Sequence, residues 1–492
     1  MRIIGNNPAA DNAEITAVAS GTLPDGKAVI VNADGTVSVV GEDSRDQAVG
    51  SNTTVVPSSP YTADFYRSAY DANAQKVVLV YRDENNQSRA KAVVGTVSGT
   101  SISFGTPVEF GPGSRADWPA VTYDANAQKI VVAYSPSANS YYGYARVGTV
   151  SGTTISFGTA TVFHSSYTDY TSITYDATAQ KVVIAFRDAG GNNYGRAIVG
   201  TVSGTSISFG SYINFATTNV QGITVVHDTA AQKNVVFYKN SSLRAKVLTV
   251  SGTSISAGAE TDTVLGVTGD FINATYDAAS QRVVAVFANN ENDTTAGIVG
   301  TVSGTSISLG SAVSFQTGQL TSAGLGHLPL AVTYGQTSQK IVVICRDVSN
   351  SNYGTVYVGT VSGASISFAS GVAINSVVTD TCSATYDVNS ESAVLFYRND
   401  TNSDRAEAVV FQPAYTSTNL TAENFIGFSD GAAADTGTAR VQVGSGINGA
   451  QSSLTIGQQY FVQTDGTLGL TAADPSVIAG TAISATEIIV KG

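Results

Sequence analysis

The sequence is poor in the residues that build reactive centres. Two Cys among 492 residues exclude a disulfide framework, and three His exclude a His-rich metal centre. Met and Trp occur once each, and charged residues make up 13%, about half the usual share. Disordered chains combine low hydrophobicity with high charge; with 42% apolar residues this one has enough to bury a core. Basic residues number 25 against 37 acidic ones, a net charge of −12 that repels phosphate backbones and disfavours a nucleic-acid partner. No run of about 18 apolar residues occurs, so no membrane insertion is expected. The start, MRIIGNNPAADN, lacks a stretch long enough for a signal peptide, so a cytoplasmic origin is expected. No heptad or amphipathic helix is visible, which leaves out a coiled-coil stalk.

What the sequence has in abundance is turns and aromatic rings: 49 Gly, 23 Tyr and 18 Phe. That composition points to an all-β protein. One internal repeat dominates. A Tyr-Asp turn followed by an apolar run recurs with its Tyr position at Tyr70, Tyr123, Tyr175, His227, Tyr276, Tyr334 and Tyr386, at spacings of 53, 52, 52, 49, 58 and 52 residues. A second signature, SGTSIS or a close variant, begins at Ser98, Ser151, Ser203, Ser251, Ser303 and Ser362. Each repeat reads as four strands. The first ends at the Tyr-Asp turn, where the Asp side chain favours reversal. The second is an unbroken apolar run such as Val77-Val78-Leu79-Val80-Tyr81, which implies burial on both faces. The third, such as Ala92-Val93-Val94, leads through Ser98-Gly99 into the alternating Ser101-Ile102-Ser103-Phe104.

Four short strands repeated seven times predict a seven-bladed β-propeller. The seventh repeat has no SGTSIS strand after Ala408-Val409-Val410. Thr53-Thr54-Val55-Val56 sits 17 residues ahead of Tyr70, as Thr106-Pro107-Val108-Glu109 sits 17 ahead of Tyr123. An N-terminal strand is therefore expected to complete the last blade and close the ring. Residues 53–412 are assigned to the propeller, 1–52 to an N-terminal β segment and 413–492 to a small C-terminal β domain.

An acidic residue stands six positions before the repeat Tyr at Asp64, Asp117, Asp169, Asp270 and Asp380, with Gln221 and Leu328 in the other two repeats. An aromatic follows in four: Phe65, Trp118, Tyr170 and Phe271. Such a ring could hold a cation or stack on sugars; its regular recurrence equally fits Asp capping loops and aromatics packing between blades. The pairs Arg82-Asp83, Arg187-Asp188 and Arg346-Asp347 raise the question of glycoside cleavage by two carboxylates, but their recurrence in separate blades favours surface pairing. Cys345 and Cys382 are expected as buried thiols. His164, His227 and His327 are scattered, and no catalytic, metal or cofactor site is expected. Tyr141, Tyr142 and Tyr144, with Tyr167 and Tyr170, form tyrosine clusters suited either to packing or to recognising sugars and proteins.

The segments Glu423-Asn424-Phe425-Ile426-Gly427-Phe428, Tyr460-Phe461-Val462-Gln463-Thr464-Asp465-Gly466 and Ala479-Gly480-Thr481-Ala482-Ile483-Ser484-Ala485-Thr486 resemble the ends of fibre-like virion structural proteins of marine and cyanobacterial tailed bacteriophages. Ile15-Thr16-Ala17-Val18-Ala19-Ser20-Gly21 and Val31-Asn32-Ala33-Asp34-Gly35-Thr36-Val37 resemble short segments of the same class, as do the SGTSISFG hairpins. The resemblance implies a non-catalytic virion protein, a tail fibre or other surface appendage, contacting other virion proteins and a host-surface glycan or protein; a homo-oligomer would be compatible with it. The alternatives are a lectin-like carbohydrate-binding propeller and a propeller glycoside hydrolase. The longest departure from the repeat, around Ser322-Ala323-Gly324-Leu325-Gly326-His327, carries no carboxylate, which argues against the hydrolase.

Overall fold

A computed structural model describes residues 13–55, 63–84, 87–262, 270–320, 328–401 and 404–491. Val56 and the Ser322 to His327 segment lie outside the described residues. The chain divides into two units, residues 46–413 and a smaller one of residues 1–45 with 414–492.

The larger unit is built from the repeats, each an antiparallel group. In the first repeat the strands are Ala63–Asp71, Lys76–Asp83, Arg89–Ser98 and Ser101–Phe104. Tyr70 pairs with Val77, Leu79 with Val93, and Val97 with Ile102. A fifth short strand, Val108–Glu109, pairs with the first half of Arg89–Ser98, so the outer edge is shared by two pieces. In the second and sixth repeats this outer piece runs unbroken into the next inner strand, as Thr161–Asp176 and Val372–Asp387. The apolar second strand is buried along its length, as its lack of alternation requires.

The recurring Tyr-Asp pair has two separate tasks. Asp71 Oδ1 accepts from the Ala74 N–H at 2.9 Å and closes its own turn. Tyr123 reaches back and its hydroxyl accepts from the Asn73 N–H, in the turn of the preceding repeat, at 3.2 Å. The same bond joins Asn126 to Tyr175, Ala230 to Tyr276, Ala279 to Tyr334 and Thr337 to Tyr386. Where His227 replaces the Tyr, Asn234 stands in for the apolar residue of the second strand, and its Nδ2 donates to Asp176 at 2.7 Å while its Oδ1 lies 3.2 Å from His227 Nδ1.

Glycine after five of the six outer hairpins serves the neighbour; Ala369 follows the sixth. A Cβ on Gly105 would lie 1.9 Å from the carbonyl oxygen of Thr153 in the next repeat. Only a residue without a side chain lets the backbones approach this closely. Gly50, far upstream, meets Thr100 in the same way at 1.9 Å.

Residues 48–55 lie beside the last repeat. Val49 pairs with Phe411, Thr53 with Ala408 and Thr54 with Glu407, and the Val55 N–H donates to Ala406 at 2.9 Å. One apolar cluster joins Val55, Tyr66, Val77 and Leu79 of the start to Val394, Phe396 and Val410 of the end. The hydroxyls of Ser68 and Ser383 lie 2.8 Å apart.

The smaller unit changes the picture of two separate ends. Glu14–Val18 pairs with Thr438–Gln442, Ala28–Val31 with Phe425–Ser429, and Glu42–Arg45 with Tyr415–Thr418. The C-terminal residues also form a five-stranded sheet of their own between Ile447 and Val490, and the two ends share one core that includes Ala28, Ile30, Phe428, Val462 and Ile488. Residues 46–52, assigned to the N-terminal segment from sequence, belong with the repeats.

Candidate functional site

The Asp-aromatic positions open the innermost strands at a bulge. The ladder register shifts between Asp64 and Arg67, Asp117 and Ala120, Asp169 and Ser172, Gln221 and Thr224, Asp270 and Asn273, and Asp380 and Cys382. The residue after the first position is left-handed each time: Phe65 (φ 58°), Trp118 (52°), Tyr170 (46°), Gly222 (56°), Phe271 (54°) and Thr381 (42°). For a bulky side chain this costs about 1–3 kcal/mol, and Gly222 relieves it in one repeat. In the sixth repeat Pro329 follows Leu328; its ring fixes φ near −65°, and the inner strand starts at Leu330 with no bulge. Sequence periodicity gives no sign of these bulges.

The bulge turns the carboxylates inward. Asp64, Asp117, Asp169 and Asp380 are buried, while Asp270 is partly exposed. Basic residues ending the second strands meet them. Arg398 contacts Asp380 at 3.2 Å and Asp64 at 2.7 Å, and Arg82 contacts Asp64 at 3.4 Å and also Asp117. One chain of opposite charges thus runs from the last repeat through the first into the second. Arg187 grips Asp169 with two bonds of 2.7 and 2.6 Å, and Lys239 reaches forward to Asp270. Burial pushes the Asp169 carboxyl up despite the opposing pull of Arg187.

This corrects the expectation of surface Arg-Asp pairs. Successive strand residues point to opposite faces, so Arg82 and Asp83 cannot serve each other. Arg82 is buried, and Asp83 instead binds Lys91 at 2.6 Å. Asp188 binds Arg196 at 2.9 Å, and Asp347 accepts from the Tyr357 hydroxyl at 3.0 Å. Arg346 donates to Asn352 at 2.9 Å.

The aromatics pack along the inner strands. Phe65 meets Trp118 edge-on at 5.1 Å, and Trp118 meets Tyr170 at 4.5 Å. Arg82 sits over Phe65 and Arg187 over Tyr170, at 4.4 and 4.6 Å. Trp118 is only 9% exposed, and Phe271 packs partly buried against the cluster around Leu330.

The surface above this line is formed by residues of the second and third repeats. Tyr167, 41% exposed, lies 5.0 Å from Tyr141, and the Thr168 N–H donates to the Tyr141 carbonyl at 2.9 Å. Tyr144, by contrast, stacks on Tyr134 and packs against the core. Arg115 stands three residues before Trp118, as Tyr167 stands three before Tyr170 and Asn219 three before Gly222. Arg115 donates from Nε to both oxygens of Asp117, at 3.1 and 2.9 Å, and its side chain is 50% exposed. Burial would lower the Arg115 guanidinium, but Asp117 outweighs it and the group is held up, with Tyr141 and Glu84 adding to that pull. Asn219 Oδ1 lies 3.4 Å from Arg187 Nη1. Arg115, Tyr141, Tyr167, Arg187 and Asn219 therefore form a patch of planar donors and rings. The sequence signalled its tyrosines but not the arginine, which carries no repeat signature.

His164 is buried in the third repeat, its Nδ1 2.8 Å from Thr168 Oγ1 and its Nε2 2.8 Å from Arg196 Nη1. Arg196 is only a donor, so Nε2 accepts and the ring is neutral; burial holds its pKa down. Cys345 and Cys382 are free and buried, and burial pushes both thiols up. Among the described residues no group of three or more His, Cys, Asp or Glu is arranged to hold a metal. Among them, too, no helix is long and apolar enough to cross a membrane.

A lectin shares this fold. The BP39L lectin from Burkholderia pseudomallei is similar over 70% of this chain and 94% of its own, at 10% identity and a TM-score of 0.51. At that identity the likeness speaks to the fold alone, an all-β propeller. A triple-arginine mutant of AofleA from Arthrobotrys oligospora matches at 9% identity over 69% of this chain and 92% of that one, with a TM-score of 0.42. No known family matches the sequence, and no curated protein does.

Proposed function

We propose that the larger unit is a seven-bladed propeller, closed by residues 48–55 on the last blade, and that it binds carbohydrate without cleaving it. The half-buried Tyr141 ring and the exposed Tyr167 ring, flanked by Arg115, Arg187 and Asn219, carry this reading. Sugars are bound by an aromatic face under the ring and planar hydrogen-bonding groups at its edge. Glycoside cleavage needs two carboxylates at a set separation, one acting as acid. Asp64, Asp117, Asp169 and Asp380 are each committed to arginine, which speaks for binding and against catalysis. The single Trp118, in ring contact with Tyr170, is a built-in reporter. A glycan array should yield retained sugars that alter Trp118 fluorescence. Tyr167→Ala should weaken them at least tenfold with unchanged melting temperature. An empty array, or binding indifferent to Tyr167, would refute the reading.

A place on a phage particle is the second part of the proposal. Its support is that all the terminal segments resembling fibre-like virion proteins fall in the one smaller unit, which would serve as the attachment piece. Mass spectrometry of purified virions tests this; a protein missing from every particle refutes the assignment.

A further inference from the structure

Resting on that carbohydrate reading, we infer that the ligand is an acidic sugar whose carboxylate is held by Arg115. The guanidinium uses only Nε on Asp117. Among the described residues its Nη1 and Nη2 have no partner, and the side chain is half exposed. A guanidinium fixed through one nitrogen presents its remaining edge in a set direction, and a carboxylate is the planar group that matches two parallel N–H donors. Asp117 is also paired with Arg82, a guanidinium that it shares with Asp64 and Glu84.

Its neighbours complete the site. Arg115 feels Tyr141 electrostatically, and Tyr167 feels Asp117, Asp169 and Arg187, so these groups surround one small area. The backbone anchors it as well: the Ser137 N–H donates to the Arg115 carbonyl at 2.8 Å, fixing the short helical turn Ser137–Asn139 beside it. The rings of Tyr141 and Tyr167 then cover the sugar while Arg115 takes its acid group. No repeat other than the second carries Arg at this position among the described residues; the third has Tyr167 and the fourth Asn219. One site per chain follows. The net charge of −12 would oppose an acidic ligand at a distance, but at physiological salt that field fades within about 8 Å, leaving the local arginine to decide.

The test uses the full chain on matched neutral, uronate-bearing and sulfated oligosaccharides, followed by calorimetry on the best of each. Uronates should bind at least tenfold more tightly than neutral counterparts, with one site per chain and an advantage that shrinks as salt rises. Arg115→Gln should remove that tenfold advantage, so that uronate and neutral sugars bind alike, with a cooperative melting transition showing that the variant is folded. Equal binding of neutral and uronate sugars would overturn the inference and leave the carbohydrate reading standing. Tighter binding of sulfated sugars than of uronates would overturn the carboxylate assignment. Retention of none of the three classes would remove both.

Discussion

The hydroxyl of Tyr123 accepts a hydrogen bond from the backbone N–H of Asn73, 50 residues earlier in the chain, at 3.2 Å. This bond explains why Tyr and Asp recur together: the Asp closes its own turn and the Tyr pins the turn before it. Tyr123→Phe keeps the ring and loses only the bond. The expected cost is about 0.5–1.5 kcal/mol, measured by urea denaturation. Tyr123→Ala should cost more, because packing is lost too.

Arg398 links two buried carboxylates across the junction of last and first repeats. Removing one partner of a buried ion pair leaves charge without compensation, a loss of about 3–5 kcal/mol. Arg398→Ala should therefore lower stability by that order. Arg440→Ala, whose pairing with Glu14 is largely exposed, should change stability far less in the same denaturant titration.

Gly105→Ala would press a methyl group into the Thr153 carbonyl. Overpacking of this kind costs about 1–3 kcal/mol, and the melting temperature should fall accordingly. Gly50→Ala should fall by a similar amount, since Gly50 meets Thr100 in the same way. A harmless Gly50→Ala would argue against closure by residues 48–55.

His164 supplies a pH dependence whose sign can be worked out. Burial lowers its pKa from the ordinary 6.5, so the unfolded chain binds more protons between the lowered value and 6.5. Stability from this group is full above about pH 6.5 and declines as pH falls through that window. Melting temperatures from pH 7.5 to 5 should show the decline, and His164→Gln should flatten it. An unchanged slope would mean that other groups dominate; the raised Asp169 is not one of them, since it adds stability as pH falls.

Much of this was readable from spacing alone. The repeat Tyr, the apolar second strand and the Ser-Gly hairpin are local signals, and strands such as Lys76–Asp83 and Ser101–Phe104 fall where those signals put them. Thr53 and Thr54 were placed beside Ala408 by counting missing strands, and they pair there. What escaped is non-local. That Glu14–Val18 needs Thr438–Gln442 leaves no periodic trace, because an edge strand carries no mark of its partner. The left-handed Phe65 and Trp118 were equally hidden, since aromatic residues ordinarily avoid that conformation. Charge in sequence suggests a surface place for Arg82, whereas Asp64 and Asp117 draw it inside.

The strands Glu42–Arg45 and Tyr415–Thr418, just before and just after the repeats, are hydrogen-bonded neighbours. To the smaller unit, residues 46–413 are therefore the connection within a hairpin. A flexible connection of that length would cost about 5 kcal/mol to close. A folded one whose two ends already lie paired, Val49 against Phe411, costs little of that. The repeats are thus a cassette: another domain with adjacent ends could take their place without raising the entropy of closing the smaller unit.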